Sequence, residues 1–253
     1  MLQWRGAWLF LLLLVGSVLP ALSQATSAGR YDQQIQEEVE KALKSKPKFQ
    51  NVHATTEDGI VTLTGTVKLY IDKLDAERKV RHVKHAEGVR NHIEEETTVP
   101  DEVLLQKLAE KLRYDRIGYG IMFNNLQLKV ENGVVTISGD VRDYPARDSA
   151  LAIVETEPGV KDVIDEINVL PLSTFDDELR IRVARAIYGH PALQKYAIDP
   201  QSPIRIIVDN GHVKLEGVVD SPADKTIAGI QANSVPGVFS VENNLMVAND
   251  KTK

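Results

Sequence analysis

Three stretches of the chain alternate apolar and polar positions in the same way. They read DGIVTLTGTV at 58–67, NGVVTISGDV at 132–141 and NGHVKLEGVV at 210–219. Each opens on Asp-Gly or Asn-Gly, the strongest short hairpin signal. Each then places an apolar residue at alternate positions: Val61, Leu63 and Val67; Val135, Ile137 and Val141; Val213, Leu215 and Val219. A glycine interrupts every copy at the same place, and Gly65, Gly139 and Gly217 lie 74 and 78 residues apart. A period near 75 is too long for a solenoid repeat and suits a small domain. The pattern predicts one domain repeated three times.

The flanking sequence supplies the remaining elements of each copy. Over 31–46, Ile35, Val39, Ala42 and Leu43 recur at helical spacing. Acids stand early (Asp32, Glu37, Glu38) and lysines late (Lys41, Lys44, Lys46), as the helix dipole favours, and Pro47 ends the run. A strand over 49–55 follows, turned at Asp58-Gly59 into the strand above. A second helix spans 70–85, with Leu74, Ala76, Val80 and Val83 inward and Gly88 closing it, and 89–99 is a third strand.

The second copy repeats this order. Its helix over 101–112 turns Val103, Leu104, Leu108 and Leu112 inward, its hairpin is 126–131 with 134–141, its second helix 145–155 and its last strand 160–170. The third copy has 174–188, 204–209 with 212–219, 222–233 and 238–248. Each unit is therefore α-β-β-α-β. The fold class is α+β: three tandem units at 30–99, 100–170 and 173–248, each a three-stranded mixed sheet with two helices on one face. The short junctions at Pro100 and Pro171 predict that the units touch. Gly59, Gly133 and Gly211 are turn residues. Gly65, Gly139 and Gly217 share the parity of the inward apolar positions, which suits either close approach of a helix or a bulge. On both readings they are packing residues.

The order of elements, the hairpin ending V-x-L-x-G-x-V and a later G-V-x-x-V…N-x-L/V-x-V resemble the BON domain. The later pattern stands as Gly159-Val160, Val163 and Asn168-Val169, and as Gly237-Val238, Val241, Asn244-Leu245 and Val247. The resemblance extends over three copies, as in the osmotically inducible periplasmic BON proteins. It implies an exported envelope module that associates with phospholipid and has no catalytic site. The first copy departs from the pattern, with His92 and Glu96 set against Val163/Val241 and Ile167/Leu245. Its second helix also reads longer, since Gly65 to Gly88 spans 23 residues against 20 in the other copies.

Residues 1–25 read as a cleavable secretory signal. Arg5 precedes an apolar run over 7–19 shorter than the roughly 20 residues of a membrane span, and small residues follow at Ala21, Ser23 and Ala25. Cleavage after Ser23 or Ala25 predicts a periplasmic or secreted protein with no transmembrane span. The net charge of −6 argues against general nucleic-acid binding, and the lack of cysteine removes disulfides, thiolate metal sites and cysteine nucleophiles.

Candidate chemistry is sparse. His82 and His85 stand three apart on a helix, a spacing that can hold a metal, but no third ligand accompanies them, so no metal and no cofactor are expected. With His53, His92, Lys79, Arg81, Lys84, Arg90 and Lys41, Lys44, Lys46 and Lys48 they make the first unit locally basic. That suits either a wet helix face or anionic headgroups, at about 1 kcal/mol per well-placed cation. No serine nucleophile elbow and no phosphate-cradling loop occurs, so no enzyme is expected. The strongest candidate is the loop RYDRIGYGIMFNN at 113–125. There Arg113, Tyr114, Arg116, Tyr119, Ile121, Met122 and Phe123 combine apolar and aromatic side chains with arginines, as at an interfacial membrane contact or a protein hot spot. The competing reading continues the strand through Ile121 and Phe123 into the core. The expected partners are anionic phospholipid, in an envelope-stress setting, or a protein of an envelope or secretion assembly for which the chain is a scaffold.

Overall fold

The same ladder of three side chains fixes the first helix of every unit. A computed structural model describes residues 29–115, 117, 122–199 and 203–248, and the predicted signal segment lies outside them. Helix α1 (Asp32–Lys44) buries Ile35, Val39 and Leu43. Helix α3 (Asp101–Arg113) buries Leu104, Leu108 and Leu112. In α5 (Thr174–Tyr188) the set is Leu179, Val183 and Ile187. One residue per turn faces the sheet, so Val103, expected inward, instead stands 42% exposed.

Hairpins follow: β1 (Val52–Glu57) with β2 (Ile60–Val67), β4 (Asn125–Glu131) with β5 (Val134–Val141), and β7 (Ile204–Asp209) with β8 (His212–Val219). Every turn holds two residues at positive φ, namely Asp58-Gly59, Asn132-Gly133 and Asn210-Gly211. This is the geometry that matches the twist of the strands. An aspartate in the first helix locks each turn. Asp32 accepts from the amides of Asp58 and Gly59 at 2.9 and 2.8 Å. Asp101 accepts from Asn132 and Gly133 at 2.7 and 2.8 Å, and Asp176 from Asn210 and Gly211 at 3.0 and 2.9 Å. The acids that the dipole rule places at helix starts thus also tie each helix to its hairpin.

Second helices α2 (Tyr70–Arg81), α4 (Tyr144–Glu155) and α7 (Pro222–Asn233) carry the chain to the parallel third strands β3 (Gly88–Glu95), β6 (Asp162–Val169) and β9 (Ser240–Asn243), the last continued by β10 (Met246–Val247). The third unit adds a 3-10 turn and a short helix, α6 (Gln194–Ile198), between α5 and β7. Leu193 and Tyr196 from this extension enter its core. Lys195 and Tyr196 both bond Asp224 at the start of α7, at 2.9 and 2.8 Å.

The strand register corrects the alignment of the first unit. Ile60, Val134 and His212 open the second strands and pair with Gly88, Asp162 and Ser240. Val89 and Ile93 therefore match Val163 and Ile167, and Ile93 is buried. The second helices are equal in length at 12 residues each, so that of the first unit is not longer. The offset has a physical source. The left-handed position before the third strand is Gly159 (φ 98°) and Gly237 (φ 97°) in two units but His85 (φ 68°) in the first. The His85 ring stacks on Tyr31 with centroids 3.9 Å apart. Left-handed backbone costs a non-glycine residue about 1–2 kcal/mol, and ring stacking returns about 0.5–1.5. His85→Gly is therefore expected to change unfolding free energy by under ~1 kcal/mol. Gly159→His, whose Cβ would lie 2.6 Å from Val99, is expected to cost roughly 2–4 kcal/mol in urea titration.

The strand glycines are packing residues for a reason other than helix approach. A Cβ on Gly65, Gly139 or Gly217 would lie 2.0, 2.1 or 1.9 Å from the carbonyl oxygen of Asn51, Asn125 or Pro203 on the neighbouring strand side. Each sits at positive φ, between 108° and 116°. Pairing stays one to one through Gly139 (Leu126↔Gly139, Asn125↔Asp140), so no residue is inserted as in a bulge. The backbone passes through positive φ at the glycine while its ladder continues.

Candidate functional site

The loop between α3 and β4 divides into an outward and an inward part. Arg113 ends α3 and, with Arg205 and Pro203, lines a groove of about 500 Å³ between the second and third units. Tyr114 is 68% exposed. Asp115 then turns the chain, its carboxylate accepting from the Ile117 amide at 3.0 Å and from Ser149 Oγ at 3.0 Å. Arg116, Tyr119 and Ile121 lie outside the described residues. Met122 and Phe123 are partly buried, and the core they pack against is that of the third unit. The Met122 carbonyl accepts from the Ile206 amide at 2.8 Å, adding a bond at the edge of β7. Asn124, fully buried, accepts from the Arg142 amide at 2.7 Å and so fixes the entry to β4. Phe123 precedes the strand and does not continue it into its own unit.

A second junction was not signalled by any motif. Tyr70, at the start of α2, is 8% exposed because it belongs to the core of the second unit, with Leu74 packed beside it. Its hydroxyl donates to Asp162 at 2.9 Å. Burial, reinforced by the Asp162 carboxylate, pushes the Tyr70 phenol well above its ordinary pKa. Burial also raises Glu155 at the same junction, against the opposing pull of Arg78 and Arg147. Leu74 was expected in its own unit's core. It follows Tyr70 by four residues, on a face of α2 turned roughly 120° or more from Ala76 and Val80, which serve the first unit's core.

The histidines of the first unit separate. His82 caps α2 beside Lys46, Lys48, Arg78 and Lys79 in a groove of about 540 Å³, and His85 stacks on Tyr31. His53 and His92 flank Thr64 on the face of the sheet opposite its helices. Among the described residues no group of three or more metal-ligating side chains occurs. In the groove Lys48 pairs with Asp72 and Asp75 at 2.9 and 2.6 Å. Lys46, Lys79 and His82 make no ion pair among the described residues, so the groove carries excess positive charge.

The repeated hairpin lock, the strand glycine at positive φ and the α-β-β-α-β order define one unit three times over. The BON domain family matches 31–97, 100–171 and 176–249. The chain belongs to the BON domain family. No curated protein matches it in sequence. Among solved structures, the C-terminal domain of CdsD, a structural protein of the type III secretion system of Chlamydia trachomatis, aligns at 15% identity and a TM-score of 0.23, covering 83% of this chain and 96% of that one. The periplasmic domain of the type III secretion inner membrane protein PrgH from S. typhimurium aligns at 8% identity and a TM-score of 0.18, covering 82% and 99%. Within the BON units, residues common to all three build cores, while Tyr70, Met122 and Phe123, which are not common to all three, join unit to unit. Among the described residues no helix is long and apolar enough to cross a membrane.

Proposed function

We propose that this triple-BON chain is a non-catalytic, exported envelope protein that acts as an assembly module, meeting its partners through unit surfaces. The observation that carries this reading is the destination of Met122 and Phe123. These apolar loop residues lie against a neighbouring unit, so the chain already uses its unshared segments for protein–protein docking. Export rests on the signal-like segment 1–25. A photo-crosslinker placed at the exposed Tyr114 in the full chain, expressed with its leader in a bacterial host, tests the reading. Discrete protein adducts in the periplasmic fraction support it. Retention of the uncleaved chain in the cytoplasm, or export without any adduct, contradicts it.

A second reading, peripheral contact with anionic phospholipid, is favoured by the basic groove of the first unit and by the exposure of Tyr114 beside Arg113. Co-sedimentation with phosphatidylglycerol vesicles but not with neutral ones supports that reading, and equal recovery with both removes it. Protection in envelope stress would follow from either kind of contact.

A further inference from the structure

The junction between the first two units is a template for a contact that the chain leaves unmade. On one side stands the tyrosine that opens the second helix, five residues after the strand glycine. On the other stands the start of a third strand. In the first unit Tyr70 fills this role and reaches Asp162 of the second. At the same position the second unit carries Tyr144, and the third unit carries Pro222. Tyr144 is 66% exposed because the third unit docks elsewhere, through the edge of β7 and residues Met122 and Phe123.

The accepting side is also unused in the third unit. Register equates Asp162 with Ser240, and the residue before it, Lys161, with Phe239. Phe239 is 71% exposed and lies near two other rings, Phe175 at 6.5 Å and His212 at 6.0 Å. Solvent-facing aromatic clusters of this kind mark interaction sites. Where Asp162 offers a carboxylate, Ser240 offers a hydroxyl oxygen that already shares a hydrogen bond with His212 Nδ1 at 2.7 Å. The first unit offers neither feature, having Glu87 and Gly88 at these positions.

Resting on the assembly reading above, we infer that the Tyr144 end of α4 in one copy docks on the Phe239–Ser240 surface of a second copy, repeating between chains the contact made within the chain by Tyr70. The two surfaces differ, so the contact is heterologous and propagates head to tail into a ring or a filament. Asp148 stands where the first unit has Leu74, which reduces the apolar area. Association is accordingly weak, with a dissociation constant of order 100 micromolar.

Sedimentation equilibrium of the exported chain tests the inference through complementation. The wild-type chain is expected to gain mass with concentration beyond a dimer. Tyr144→Arg and Phe239→Asp, both at exposed positions, should each remain monomeric with unchanged thermal melts. Their equimolar mixture should form a capped dimer, because each variant retains the surface that the other lacks. A monomeric wild type at 500 micromolar, on the order of five times that constant, overturns the inference. So does self-association unaffected by either substitution, or a mixture that stays monomeric. None of these results touches docking to a different protein, which the crosslinking at Tyr114 reads separately.

Discussion

Gly65→Ala is expected to cost roughly 3–5 kcal/mol, enough to unfold much of the first unit in mild urea. Two effects combine. Alanine at φ 108° pays for a left-handed backbone. Its Cβ would also lie 2.0 Å from the Asn51 carbonyl, backbone that cannot swing aside as a side chain can. Gly88→Ala in the same unit is the control. Its Cβ would meet only the Ile60 methyl at 3.1 Å, and its backbone carries no positive φ, so a loss below about 1 kcal/mol is expected. Equal losses at the two glycines would remove the role assigned to the positive φ.

Asp176→Asn should be the second severe substitution. The carboxylate is 2% exposed and each oxygen accepts one turn amide, from Asn210 and Gly211. Asparagine keeps one acceptor and presents an NH2 group to the other amide, leaving a buried donor facing a donor. Hydrogen bonds to a charged group contribute about 1.5–3 kcal/mol each, so roughly 3 kcal/mol is expected from thermal or urea unfolding. Glu178→Gln, two residues along and exposed, should change stability by less than ~0.5 kcal/mol. A mild effect at Asp176 would mean that the turns form without the helix acid.

Periodicity carried the units themselves. Leucine and valine at every fourth position, glycine pairs at turns and alternating strands follow from helix and strand geometry, and all three copies repeat them. What lay hidden depended on contacts between units. Tyr70 sits in a helix whose own core residues, Ala76 and Val80, satisfy the pattern without it, and only its spacing of four from Leu74, on another face of the helix, marks it. Met122 and Phe123 look alike whether they face lipid, solvent or a neighbouring core, because hydrophobicity does not name its partner. The first unit departs from the others at one residue, His85, which occupies a left-handed position where they have Gly159 and Gly237, so its nearest glycine, Gly88, falls three residues later. The added helix α6 was masked by a stretch rich in turn formers, although Leu193 and Tyr196 within it are core residues.

Amide exchange at Ile206, followed by NMR in the wild-type chain and in a Met122→Ala/Phe123→Ala variant, tests most directly whether unshared residues join units that fold on shared ones. The Ile206 amide and its neighbours at the edge of β7 should lose protection in the variant, while the amides of α5 and β8 keep theirs. Unchanged protection at Ile206, or collapse of protection throughout the third unit, would contradict that division of labour.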